Sequence, residues 1–181
     1  MGAVIFGMRM SLDGFVADAS GDSSPLYPDI DQISENEVVK EAIEATGAVV
    51  MGRGSYDLAD GDLSGYEFQV PIFVVTHDPP DQPAKGENDR LRLTFVTGGV
   101  EPAVARAKAA AGDKSVQVIG APVGQQCLAA GLIDEISVGM MPILLGAGIP
   151  MFAELGNPPK LERIRALETP ADTELRFRVL R

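Results

Sequence analysis

Short apolar runs and amphipathic stretches alternate along this chain in a regular order. Residues 3–10, Ala-Val-Ile-Phe-Gly-Met-Arg-Met, are nearly continuous apolar, which predicts a strand buried on both faces. Ala48 to Met51, Pro71 to Thr76, Leu93 to Val96 and Val116 to Ile119 repeat the pattern. Helical signals lie between them. Ser34 and Glu37 form a Ser-x-x-Glu capping box, followed by an apolar stripe of Val38, Val39, Ala42 and Ile43 at helical spacing. A short helix is predicted from Arg53 to about Leu58. Pro102 with Gly112, and Pro122 with Gly131, bracket two more, proline opening and glycine closing each. The tail changes character: 134–143, 161–167 and 174–180 read as strands. In the last, Leu175, Phe177 and Val179 alternate with Arg176 and Arg178, the pattern of a half-exposed antiparallel edge.

The resulting order is β-α-β-α-β-β-α-β-α-β-β-β. Strands alternating with helices imply an α/β fold: a mostly parallel sheet with helices on both faces, finished by an antiparallel C-terminal hairpin. Residues 1–181 form one predicted domain, with surface loops at about 18–31 and 78–88.

Composition narrows the chemistry. The net charge of −11 repels phosphate backbones and argues against a nucleic-acid partner. No apolar run approaches the roughly 20 residues of a membrane span, and the N-terminus lacks the basic start of a signal peptide. The one cysteine, Cys127, forms no internal disulfide and suits a reducing cytoplasm; mid-helix among Ala and Leu, it reads as core. With one histidine, His77, and one cysteine, neither a His-rich zinc site nor a Cys–His pair backed by a second histidine is available. A bound cofactor is then the natural supplier of chemistry.

Three strand-to-helix junctions are marked by glycine: Gly52-Arg53-Gly54-Ser55, Thr97-Gly98-Gly99 and Gly120-Ala121-Pro122-Val123-Gly124. In a parallel sheet such junctions lie at the carboxyl ends of strands, where ligands bind. Each offers free N–H groups and a positive helix end to a phosphate. Arg53 adds a fork of donors and Ser55 a hydroxyl. No Gly-x-Gly-x-x-Gly follows the first strand, so the ordinary dinucleotide fingerprint is absent.

An ordered set of motifs is more specific. Ser11-Leu-Asp13-Gly-Phe15-Val-Ala17 follows the first strand and Met51-Gly-Arg53-Gly-Ser55-Tyr the second. Ala130-Gly-Leu-Ile-Asp-Glu-Ile136 then leads to Pro142-Ile-Leu-Leu-Gly146-Ala-Gly148-Ile-Pro-Met-Phe152. From about Val4 to Phe152 the set resembles the dihydrofolate reductase-like superfamily, and within it the reductase domain of bacterial riboflavin biosynthesis, the C-terminal part of a bifunctional deaminase-reductase.

That resemblance implies hydride transfer from NADPH to a pterin-like or aminopyrimidine compound. It implies that Ala17 flanks the nicotinamide, and that Gly52, Arg53 and Ser55 hold the phosphates from one side. Gly120, Ala121, Val123 and Gly124, at the start of the next helix, would hold them from the other. Thr76 and His77 fall where the family binds the adenosine 2′-phosphate, and pairing into a homodimer through the tail strands is expected. Three features depart from the pattern: Ala121 stands where a second glycine is usual, Phe15 where a basic residue is usual, and the chain has no tryptophan. A true dihydrofolate reductase and a nucleotide-binding module without chemistry are the alternative readings.

A proton donor or substrate-anchoring carboxylate is expected on or before the first helix, with Asp29, Asp31 and Glu35 as candidates. Asp13 reads as a turn-former for its own loop, and Gly146-Ala-Gly148 as either a substrate wall or a turn. The remaining walls, Met10, Phe15, Val16, Leu26, Tyr27 and the 146–152 turn, are mostly apolar. They predict little local charge and a planar heterocycle in preference to a phosphorylated substrate.

Overall fold

The computed structural model describes residues 2–28, 37–81, 84–152 and 155–181. Ten strands and four α-helices follow in the order β1 (Val4–Ser11), β2 (Phe15–Ala17), α1 (Glu37–Ala45), β3 (Thr46–Gly52), α2 (Arg53–Leu58), β4 (Ile72–Val75), β5 (Leu93–Val96), α3 (Val100–Ala111), β6 (Ser115–Ile119), α4 (Ala121–Ala129), β7 (Glu135–Met141), β8 (Ile149–Pro150), β9 (Lys160–Glu168) and β10 (Thr173–Leu180). A 3-10 turn covers Ser24–Leu26. Eight strands make one sheet in the order β5-β4-β3-β6-β1-β7-β10-β9. The pairs from β5 to β7 are parallel, and β10 runs antiparallel to both β7 and β9. This is the α/β architecture expected from the alternating apolar pattern, hairpin included.

Strands β2 and β8 were not expected, and two of the expected elements differ in detail. The edge strand is β9, because β10 is paired on both sides; its alternation of apolar and arginine residues reflects the two faces of an interior strand. Helix α3 begins at Val100, with Gly99 as its N-cap at φ 89°, two residues before Pro102. Proline fits anywhere in the first turn, where its missing N–H has no intrahelical partner.

On one face of the sheet a smaller apolar cluster covers β3 and β4, where Val49, Met51, Ile72 and Val74 pack with Tyr56, Leu63 and Phe68; the larger core lies on the other face. Val4 and Phe6 of β1, Val116 and Val118 of β6, and Ile136 and Val138 of β7 pack there with Ala103, Val104 and Ala107 of α3 and Val123, Cys127 and Leu128 of α4. Helix α4 approaches β1 closely because residue 124 is glycine. A β-carbon there would lie 2.1 Å from Cε2 of Phe6, a fully buried ring. Cys127 is buried, and burial pushes its thiol up to about 12, an inert core thiol.

Successive side chains on a strand face opposite ways, so Ile5, Gly7 and Arg9 of β1 point to the other face. With Ser115 and Gln117 of β6 and Ser137 and Gly139 of β7 they floor a cleft of about 820 Å3. Val38, Val39 and Ala42 of α1 form its opposite wall. Helix α1 is amphipathic yet buries no residue completely, because its apolar stripe faces this open space.

Candidate functional site

The cleft begins at the carboxyl ends of β3 and β6, adjacent strands whose following helices meet there. Gly120 has φ 103°, and a β-carbon on it would lie 2.9 Å from the Ser55 Oγ and 3.6 Å from the Gly52 N. Glycine is thus required at 120 by both its backbone conformation and its neighbour. Gly52 approaches Val123 in turn, its absent β-carbon 3.6 Å from that of Val123. Neither α2 nor α4 receives a side-chain cap, so their first N–H groups lack a side-chain partner. The missing side chain of Gly54, which lines the cleft, would meet nothing within 4 Å.

Ala17, Ser55, Gly120 and Ala121 therefore come together on one cleft. The remaining residues expected at a cofactor are placed around it rather than in its wall. Gly52 caps α2 behind Gly54. Val123 and Gly124 are buried against the core, Gly124 beneath the Phe6 ring. Arg53 extends across the outside: its Nε donates to Asp57 Oδ1 at 2.7 Å and its Nη1 to the Asp78 carbonyl at 2.6 Å. The Asp57 carboxylate holds the guanidinium above its ordinary value. Thr76 is buried, exchanging hydrogen bonds with the backbone of Asp78, and His77 beside it is exposed. Arg53, Thr76 and His77 thus share one corner through Asp78. The third glycine junction, 97–99, lies beyond β5 at the sheet edge and does not reach the cleft.

The rim over the cleft is made by β2 and β8, which pair with each other: Phe15 with Pro150 and Ala17 with Ile149. Asp13 fixes it. Its carboxylate accepts from Ser11 Oγ at 2.5 Å, from the Gly146 N–H at 2.7 Å and from the Leu145 N–H at 3.2 Å. Those hydrogen bonds, Ser11 foremost, hold the carboxyl below its ordinary value. The turn role expected of Asp13 extends to a second loop distant in sequence. Gly148 lies against the Ala17 carbonyl, which a β-carbon would strike at 2.0 Å. Gln125 of α4 donates to the carbonyls of Pro150 and Met151 and joins the rim to the helix carrying Gly120.

The far end of the cleft corrects the expectation of little local charge. Of the predicted walls, Val16, Tyr27 and Ile149 line it, whereas Met10, Phe15 and Leu26 do not. Arg9, Arg165 and Arg176 line it as well, each paired with a carboxylate. Arg165 Nη1 lies 2.7 Å from Glu41 Oε2, and Arg176 Nε lies 2.6 Å from Glu135 Oε2. Arg9 Nε lies 3.1 Å from Asp172 Oδ2, a buried pair. That contact is an ion pair off the N–H axis, not a hydrogen bond; Asp172 Oδ1 accepts instead from Thr169 Oγ1 at 2.6 Å. The Arg9 guanidinium also lies 5.4 Å from the Tyr27 ring centre. Sequence reasoning missed Arg165 and Arg176 because β9 and β10, which carry them, join the site only through the pairing of β10 with β7 and of β9 with β10. Asp29, Asp31 and Glu35 lie outside the described residues.

A parallel α/β sheet finished by an antiparallel hairpin, with a glycine-marked cleft at its carboxyl edge, is the dihydrofolate reductase-like arrangement. The fold matches that of dihydrofolate reductase from Enterococcus faecalis, described in complex with NADP(H), at a TM-score of 0.65 and 14% identity over 98% of this chain and 96% of that one. The chain belongs to the RibD C-terminal domain family, which matches residues 3–175. It is 27% identical to the Bacillus subtilis protein YwjB over 159 residues, 85% of this chain and 84% of that protein. A Shewanella sp. PV-4 protein named for riboflavin biosynthesis superposes at a TM-score of 0.80 with 27% identity, covering 99% of both chains. The deaminase/5-amino-6-(5-phosphoribosylamino)uracil reductase of Thermotoga maritima gives 0.70 with 15% identity, over 99% of this chain and 57% of that enzyme.

Proposed function

We propose that the protein is an NADPH-dependent reductase acting on a pterin-like or aminopyrimidine heterocycle. The observation that carries this reading is the meeting of two uncapped helix N-termini at Gly120 and Ser55, opening on a cleft that continues to a separate polar end. Membership of a reductase-domain family supports it. The residues present fit a dinucleotide: the unfilled space at Gly54 admits a phosphate close to backbone, and helix N-termini favour anions.

Gly54, Ser55, Gly120 and Ala121 would hold the pyrophosphate through backbone N–H groups and the Ser55 hydroxyl. Ala17, fixed by Gly148, would flank the nicotinamide. Arg53, Thr76 and His77 form the corner suited to the 2′-phosphate. NADPH, when bound, supplies a hydride. The β2–β8 rim and α1 keep water from that position, and the Tyr27 end leaves room for the acceptor. The arginines there are already paired, so a phosphorylated substrate gains less from them than from free cations; an unphosphorylated heterocycle is the favoured class.

The test is titration calorimetry with NADPH and NADH, followed by NADPH oxidation with 7,8-dihydrofolate and with 5-amino-6-(5-phosphoribosylamino)uracil. Tighter NADPH binding and a higher kcat/KM for the unphosphorylated compound are expected. NADH binding equal to or tighter than NADPH would refute the cofactor assignment, and a clear preference for the phosphorylated compound the substrate assignment.

A further inference from the structure

Two carboxyls in the cleft, Glu67 and Glu174, have no place in the pairing just described, and Glu174 is the one beside the arginines. Glu174 of β10 sits directly across Gly139 of β7 from Arg9 of β1, since Arg9 and Glu174 are both registered on Gly139. Gly139 is what allows them to converge: a β-carbon there would lie 2.9 Å from Arg9 Cγ, 3.0 Å from Asp172 Oδ2 and 3.1 Å from Glu174 Oε1. Asp172 takes the ion pair with Arg9. Among the described residues, Glu174 has no hydrogen-bond or ion-pair partner, and it lines the cleft.

We propose that Glu174 is the anchor for the cleft's second occupant, binding a planar ligand through an adjacent pair of N–H groups, as in an amidine or a 2-amino ring nitrogen. The proposal rests on the reductase reading only for the identity of that ligand as substrate. Two carboxylate oxygens match two parallel N–H donors, the geometry that makes bidentate pairs strong. The slot has the right shape: Val38, Val39 and Ala42 of α1 lie on one side and the sheet on the other, with Tyr27 at its end. It is also far from the phosphate cradle. Four strand steps separate β3 from β10, roughly 19 Å at ~4.8 Å per step, so the two ends hold different parts of a ligand set.

Among the described residues, the charged groups acting on Glu174 are Arg9 of β1, Asp172 of the preceding turn and Arg165 of β9. Tyr27 lies within electrostatic reach of both Glu174 and Glu67. Arg9 and Arg165 favour the ionised carboxyl but are outweighed by burial and by Asp172, and Glu174 is pushed up to about 7. A ligand bringing its own positive charge therefore has to displace a proton at pH 6 but not at pH 8.

The test uses benzamidine, a planar amidinium that stays cationic from pH 5 to pH 9, and benzoate as its anionic counterpart, by titration calorimetry on the wild-type protein and Glu174→Gln. Benzamidine affinity should rise about tenfold from pH 6 to pH 8, the linkage expected of a carboxyl titrating near 7. At pH 8, Glu174→Gln should weaken it roughly 10–100-fold, the worth of a charge-assisted hydrogen bond, and abolish the pH dependence. NADPH affinity should be unchanged in the variant. No benzamidine binding, benzoate binding as tightly as benzamidine, or a Gln variant with wild-type affinity would each overturn the proposal. The wild-type comparison stands even if the variant fails to fold. Failure of the wild-type protein to bind NADPH would refute the reductase reading and leave the benzamidine result standing.

Discussion

Gly124→Ala separates two roles for one glycine. Family resemblance puts Gly124 with the cofactor; the structure puts it under Phe6. The new β-carbon would lie 2.1, 2.3 and 2.5 Å from three ring atoms of Phe6, against an ordinary contact of about 3.5–4.0 Å. Phe6 is fully buried and has nowhere to rotate, so α4 must lift from β1 by more than an ångström. Overpacking of this kind costs about 1–3 kcal/mol, and alanine in a helix returns up to about 1 kcal/mol over glycine. The expected net loss is about 1–2 kcal/mol, a fall in Tm of roughly 2–8 °C for a chain of this size. Urea and thermal denaturation measure it, with NADPH calorimetry alongside. Shortening the ring should restore stability, so Phe6→Leu with Gly124→Ala should lose less than the two single changes summed. A Gly124→Ala protein of wild-type stability that no longer binds NADPH would refute the packing argument.

Arg53→Ala should weaken NADPH binding by less than about 1.5 kcal/mol, the low end for a charged hydrogen bond, because Asp57 and the Asp78 carbonyl already engage the guanidinium; calorimetry showing a larger loss would mean that the side chain turns to the phosphate. Glu174 makes stability depend on pH. Its folded value, about 7 against an ordinary 4.5, means the folded state keeps a proton the unfolded chain has lost, so stability falls by up to about 3 kcal/mol as pH rises from about 4.5 to 7. Glu174→Gln should lack that decline in urea titrations, and parallel wild-type and variant curves would contradict the reasoning. Strand β9 leaves Leu161, Ile164 and Leu167 exposed by 46%, 38% and 38% on an unpaired edge, so a homodimer of twice 19.1 kDa is expected by light scattering, broken by Ile164→Lys. A wild-type mass of 19.1 kDa would exclude it.

What could be read from the sequence follows the length of each signal. Strands β1, β3, β4 and β6 are buried in a parallel sheet and show as apolar runs; Gly112 and Gly131 close their helices at positive φ. Strands β2 and β8 were invisible, since three residues and two carry no period and each pairs only with the other. The glycine-lined near end of the cleft was legible because close backbone approach demands glycine at 120. The far end was not. Arg9 looks like an interruption in an apolar strand, and Glu174 like the solvent side of a hairpin. Only the register across Gly139 shows that they share one small space.

The position of β1 in the sheet also governs how the chain can be made. Its parallel neighbours are β6 and β7, beginning with Val4 beside Val116 and Ile5 beside Glu135. Among the described residues, no strand synthesised between β1 and Ser115 pairs with it. At ~5–20 residues per second a ribosome takes roughly 5–20 s to cover that interval, during which Val4, Ile5 and Phe6 wait without a sheet to enter. Chaperone capture of the nascent chain should therefore end when β6 emerges, and fragments stopped short of β6 should be the ones that aggregate.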